Sequence, residues 1–322
     1  MTTATVAIIA APAVLLPAAY LVWWLDRFRL FPLARFLAIF ALAVSVGLLV
    51  AARWPATAAL GSGLAGPAMP APGALAERSA VLAIDAARLA LAALAVLVFL
   101  LARARVESPV DGVVFGVATG VGLALPAGWL LAESVPDVAA MAVLGQALAP
   151  VAVGAVVGLA VAFARFDPRW SVRIAVALGG TAAAVGVVTG ARLAAEASRP
   201  WVTPLLLAAA LVAAVAAAFA IELAISRREL AEEAALGVVP AWAPEVLPRY
   251  WRRVRGSWWP RRDERRALSR LLLQLAFRKH QLRHLDDDRA TLYSLEVGRL
   301  RERARRLLDP SRTAANGVSE DE

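Results

Sequence analysis

The first 225 residues read as long apolar runs broken by short polar gaps, with no alternation of polar and apolar faces. A helix needs about 20 apolar residues to cross a bilayer. Seven stretches approach that length: 5–25, 36–52, 80–102, 110–132, 138–164, 170–190 and 201–225. The pattern predicts an all-α fold, a polytopic transmembrane helix bundle of about seven spans. The first stretch has no basic region ahead of it and ends at Trp23-Trp24 without a small-residue cleavage site, so it reads as an uncleaved signal anchor.

Past Ser226 the pattern changes. Arg227 to Leu236 continues the last helix into water, and Gly237 is placed to cap it. Residues 240–262 interleave four prolines with aromatics and arginines. Beside a membrane, that composition predicts a segment lying in the headgroup layer, with Arg252, Arg253, Arg255, Trp258 and Trp259 as its lipid contacts. Leucines at helical spacing over 264–308, broken by Asp286-Asp287-Asp288, predict two helices in a small hairpin. The resulting organisation is a bundle over 1–226, a juxtamembrane segment over 227–262, a cytoplasmic hairpin over 263–309 and a disordered tail over 310–322.

Tryptophan and arginine placement supports the spans and orients them. Trp23, Trp24, Trp54, Trp129, Trp170 and Trp201 fall at or near predicted helix ends, where the headgroup layer suits an amphipathic ring. Arg27, Arg29, Arg35, Arg103, Arg105, Arg165 and Arg169 fall in the odd-numbered loops. The positive-inside rule then puts the N-terminus outside and the C-terminus in the cytoplasm, in a multi-pass plasma-membrane protein. The second loop, Arg53 to Ser79, is rich in Gly, Pro and Ala and reads as a flexible external connection. Arg192 and Arg199 fall in the sixth loop.

Composition narrows the chemistry. The chain has 60% hydrophobic residues and a mean hydropathy of +0.66, which removes it from ordinary soluble domains. With no cysteine it can form neither disulfides nor thiolate metal sites, and its two histidines, His280 and His284, both lie near the C-terminus. The net charge of +9 on a membrane protein points to anionic headgroups at the cytoplasmic face rather than to nucleic acid.

Few ionisable groups fall within the spans. Asp85 and Arg88 are three residues apart and can pair on one helix face, either as a self-neutralised structural pair or as part of a functional site. Alone, each costs about 2.5–3.5 kcal/mol near the bilayer centre. Arg173 and Glu222 are near enough to helix ends to snorkel, and Gln146 can hydrogen-bond across helices. Between Glu107 and Gly122, Ser108 can cap a helix and Pro109 suits its first turn. Gly112, Gly116 and Gly120 then lie on one face, where a neighbouring backbone can approach closely.

That stretch, Glu-Ser-Pro-Val-Asp-Gly-Val-Val-Phe-Gly-Val-Ala-Thr-Gly-Val-Gly, resembles the signature of the PrsW family of bacterial intramembrane proteases. The resemblance runs from about Asp85 to Leu223 and on through the Arg-Glu-Leu-Ala-Glu-Glu-Ala-Ala-Leu-Gly segment. It implies a metal held in the membrane by a Glu-Glu-x-x-Lys motif, a Phe-x-x-x-Glu helix end and a histidine. The first motif falls on Ile84, Asp85 and Arg88, the second on Leu123 to Ala127, and the histidine on Gln146. The first glutamate is therefore isoleucine, the second motif's glutamate alanine, and the histidine an amide.

Three functions follow. The first is a non-catalytic scaffold or regulator on a PrsW-like bundle, without metal, whose cytoplasmic region holds lipid headgroups or a protein partner. The second is an active metalloprotease with zinc at a rearranged site of Asp85, Arg88, Asp111 and Gln146. The third is a small-solute or proton transporter built on Asp85 and Arg88, against which the lack of an inverted repeat weighs.

Overall fold

The computed structural model describes residues 40–49, 72–103, 108–134, 140–166, 169–197, 201–249, 252–253, 258, 262–283 and 287–308. Helix is the regular structure throughout these, and no strand occurs among them. In chain order the helices are α1 (Phe40–Leu49), α2 (Pro72–Arg103), α3 (Pro109–Ser134), α4 (Ala140–Phe166), α5 (Trp170–Ala197), α6 (Val202–Ala235), the short α7 (Ala243–Val246), α8 (Arg262–Leu282) and α9 (Asp287–Leu308).

Four of the helices are long and apolar enough to cross a membrane, through Ser79–Val98 of α2, Ala147–Arg165 of α4, Trp170–Ala194 of α5 and Val202–Ala235 of α6. The chain is thus an all-α integral membrane protein. Of the other three predicted spans, 36–52 is described only as α1 and 110–132 falls within α3. The span at 5–25 and the tail at 310–322 lie outside the described residues. Two boundaries differ from expectation. Helix α2 begins at Pro72, inside the predicted second loop, and α5 runs on to Ala197, so Arg192 is helical rather than in a loop.

The chain divides into two compact units, with the division inside α6 between Ala218 and Phe219. In the first unit α3 and α4 are central. Every residue from Ser108 to Ala124 is buried, as is 72% of the α4 span, against 22–28% for α2, α5 and α6. The outer helices contribute one stripe each to the core: Ala86, Ala90, Ala93 and Leu97 from α2, Ala184, Val188 and Ala191 from α5, and Leu207 from α6. Their outward residues, such as Ile84, Leu91 and Val98, are exposed apolar side chains, as lipid-facing surfaces require.

Small residues set the spacing of α3 and α4. A Cβ added to Gly112, Gly116 or Gly120 would come within 3.0 Å of Gly158, Gly154 and Pro150 backbone atoms, respectively. The order is antiparallel, four residues per step on both helices. Gly154 and Gly158 are equally crowded from the other side. Without side chains between them, the two backbones touch directly, which is how helices gain dispersion energy in lipid.

The second unit is a small polar fold. Leu268, Leu271, Leu272, Leu275 and Ala276 of α8 share a core with Val297 and Ala304 of α9, and the two helices pack as the predicted hairpin. Leu230 of α6, together with Val238, Val239, Ala243 and Leu247, completes that core. Gly237 ends α6 with φ of +66°, and Val238 N–H donates to the Glu233 carbonyl at 3.0 Å. A left-handed residue with that back-bond turns the chain sharply onto the hairpin.

Candidate functional site

Asp111 stands in the first turn of α3, within a reciprocal cap. The Ser108 amide donates to its carboxylate at 2.9 Å, and the Asp111 amide donates to the Ser108 hydroxyl at 3.3 Å, both buried. This is a capping box, Ser-Pro-Val-Asp, and it satisfies two of the amides that a helix start leaves open. The carboxylate is doing structural work at the mouth of the glycine seam.

Asp85, on α2, is met by a residue of another helix. Arg192 of α5 donates to its carboxylate at 2.7 Å, and both side chains are mostly buried. The expected partner was Arg88, one turn along. Extension of α5 beyond residue 190 brings Arg192 to the same carboxylate and makes the bond a tie between helices. Nearby, the Thr203 hydroxyl donates to the Ala191 carbonyl at 3.1 Å, fastening the start of α6 to the end of α5.

Gln146 is in α4, four residues before Pro150, where proline withholds the amide that its carbonyl would otherwise accept. Its side chain lies outside the described residues. No group of three His, Cys, Asp or Glu side chains able to hold a metal occurs among the described residues. A zinc ion of the kind the resemblance implies would need about three protein donors. Asp111 accepts from an amide, Asp85 accepts from a guanidinium, position 127 is alanine and position 146 an amide. That donor set does not fit zinc.

The densest polar chemistry lies instead in the second unit, on α6 beyond its apolar length. Residues 202–221 already supply the roughly 20 positions a span needs, so the polar stretch from Glu222 to the end of α6 is not needed to cross the membrane. Glu222, Ser226, Glu229 and Glu233 recur at helical spacing on one face and are almost wholly buried. Three of these four are carboxylates, and each meets a cation. Arg253 approaches Glu222 at 3.4 Å and also donates to the Leu247 carbonyl at 3.1 Å. Arg283 reaches Glu229 at 3.0 Å and bonds Glu232, and Lys279 lies 3.0 Å from Glu232 and 2.9 Å from Glu233. Arg301 grips Glu233 through two bonds of 2.8 and 2.6 Å.

The fork geometry of these guanidiniums matters, because paired parallel bonds fix direction as well as charge. Hydrogen bonds from Arg283 and Lys279 lower the Glu232 carboxyl to about 2 from an ordinary 4.5. Burial pushes the Glu233 carboxyl up, but bonds from Arg301 and Lys279 outweigh it and hold it low. Arg283 is raised chiefly by its bond to Glu232, and Arg301 by its bond to Glu233. Helix α6 therefore carries a row of carboxylates clasped by both hairpin helices and by Arg253 of the strap, the 240–262 segment that precedes them.

The sequence reading missed this row. Glu222 was expected to snorkel, and Glu229, Glu232 and Glu233 to be solvated. Their spacing of 222, 229 and 233 held the signal, since repeated acids on one helix face opposite an arginine-rich hairpin call for pairing.

The strap also differs from expectation. Arg253 is 4% exposed and occupied with Glu222, so it is not presented to headgroups. Trp258 donates to the Arg253 carbonyl at 3.2 Å, packs on the hairpin core and stacks tilted on Trp242 with ring centres 5.1 Å apart. The aromatics fold inward because buried leucines offer them a core. Arg252 remains exposed, while Arg255 and Trp259 lie outside the described residues.

No protein-family model matches the chain, and neither a curated protein nor a solved structure is similar to it. Fold and chemistry together define an integral membrane protein that carries a charge-clasped helical unit at the end of its last described apolar helix.

Proposed function

We propose that the protein is a non-catalytic membrane scaffold or regulator, built on a PrsW-like bundle, whose C-terminal unit meets headgroups or a partner in the cytoplasm. One observation carries this reading: both carboxylates that could begin a hydrolytic site are committed to structural bonds, Asp111 to the α3 cap and Asp85 to Arg192. A general base or metal ligand must be available to water or ion, and the Asp85 carboxylate is instead held by a guanidinium at 2.7 Å. Glycine packing supports it as well, since direct backbone contact between α3 and α4 leaves no room for a bound peptide along that face.

The cytoplasmic placement of the second unit rests on the positive-inside reading, with the N-terminus outside, in a bacterial plasma membrane. The transporter reading loses its motivation, because Asp85 is tied to a different helix rather than carried with Arg88 as a mobile pair.

Metal analysis of the purified protein tests the proposal. The expected result is zinc well below one ion per chain and unchanged in Asp85→Ala. One tightly held ion per chain, lost in that variant, would overturn it.

A further inference from the structure

The inner face of α9 is occupied: Val297 and Ala304 are buried in the hairpin core, and Arg301 grips Glu233. Its outer face is not. Leu292 and Leu295 are 69% and 58% exposed, and Arg299, Arg303 and Arg306 follow them on the same side, all exposed. Spacings of three, four and seven residues put the five on a single stripe, leucines toward the start and arginines toward the end. Arg299 and Arg303 make no ion pair among the described residues. Arg306 meets Glu302 at 3.0 Å, but exposed pairs of this kind contribute little. A shallow depression of about 650 Å³ runs along Leu295, Arg299, Glu302, Arg303 and Arg306, so the three cations there outnumber one carboxylate.

We propose that this stripe is a lipid contact, with Arg299, Arg303 and Arg306 binding anionic phospholipid phosphates while Leu292 and Leu295 enter the interfacial layer. The proposal rests on the membrane reading above and replaces Arg253 and Trp258, which face inward, with an exposed surface. Charge selects the occupant. Three guanidiniums in line match a plane of phosphates, for which their planar forks are suited. Continuity adds to this, since α6 joins an apolar, membrane-length stretch to this unit without a break.

The chain has no cysteine, so Leu295→Cys gives a unique site for a spin label. The full chain carrying it is placed in nanodiscs of phosphatidylcholine alone or with phosphatidylglycerol. With phosphatidylglycerol the label should become accessible to oxygen and shielded from a water-soluble nickel quencher. In phosphatidylcholine, or at high salt, it should stay aqueous. Changing Arg299, Arg303 and Arg306 together to Gln should lower the ratio of docked to free unit on the order of 100-fold, about fivefold for each arginine. Should the triple variant melt below the parent, Arg303→Gln alone is read for its fivefold effect.

A label equally aqueous in both lipids overturns the proposal, as does one equally shielded in both or a triple variant that docks like the parent. A label shielded only when membrane proteins are added would mean an acidic protein partner instead, and also overturns it. Zinc binding or substrate cleavage would defeat the non-catalytic reading and leave this contact standing, so the two can fail separately.

Discussion

Gly116→Ala probes the seam on which the first unit is built. The added methyl would stand 2.6 Å from the Gly154 carbonyl carbon and 3.2 Å from the Ala155 Cα, where ordinary contact begins at 3.4 Å. The obstacle is backbone, which cannot rotate aside, and the Gly154 carbonyl oxygen stands closer still, so α3 and α4 must part by more than the step from 2.6 to 3.4 Å. Helices are stiff, and the same opening is imposed at Gly112 against Gly158 and at Gly120 against Pro150. Overpacking of a tight interior costs about 1–3 kcal/mol, and loss along the whole seam places this case at about 3 kcal/mol. At about 2–4 °C per kcal/mol for a unit of this size, Tm should fall by about 6–12 °C.

The control is Gly186→Ala on α5, where an added Cβ meets nothing within 4 Å. It should melt within about 2 °C of the parent, because exposed helix substitutions of this kind change stability by fractions of a kcal/mol. Thermal unfolding in detergent, followed by tryptophan fluorescence, reads both. Equal melting of the two variants would refute the packing argument, since it would mean that backbone contact at Gly116 does not hold the helices together.

Three further outcomes are expected. Arg192→Gln should lower Tm of the bundle through loss of about 1–2 kcal/mol of interhelical bonding, and an exchange variant with Asp85→Arg and Arg192→Asp should recover part of it; no change in either would dismiss the tie between α2 and α5. Glu233→Gln should destabilise the second unit by about 3 kcal/mol, because it leaves the Arg301 fork against an uncharged buried group, and near-UV circular dichroism of the tryptophans against urea would measure it. Acid should loosen the same unit over a defined window. Glu232 and Glu233 have folded pKa values depressed below 4.5, so their contribution is complete above that value and is lost as pH falls toward about 2. Unfolding that instead begins above pH 6 would contradict the carboxylate clasp.

Much of this architecture was legible because lipid and water impose simple patterns. Apolar length marks the described spans, the four-residue glycine spacing marks a face of α3 open to a neighbouring backbone without saying which, and Gly237 marks the end of α6. Leucine spacing gave the hairpin. What was not legible depended on partners distant in sequence. Asp85 and Arg192 are 107 residues apart, and a local reading paired the acid with Arg88, its neighbour on the same helix turn. Glu233 and Arg301 are 68 residues apart, and the one-face spacing of Glu222, Glu229 and Glu233 marks a row that calls for partners without naming them. Arg253 and Trp258 failed for the opposite reason. Their composition fits a headgroup layer, but it fits equally well a strap folded over a leucine core, and composition carries no direction.

The central claim is that positions resembling an intramembrane protease hold structural bonds rather than a reacting centre. Co-expression of the full chain with single-span membrane substrates, read by appearance of cleaved product, tests it most directly. The account predicts the same product level with the parent chain, with Asp85→Ala, with Asp111→Ala and with no chain at all. Product that appears with the parent and disappears with either aspartate variant, while the variant remains folded in the membrane, would contradict it.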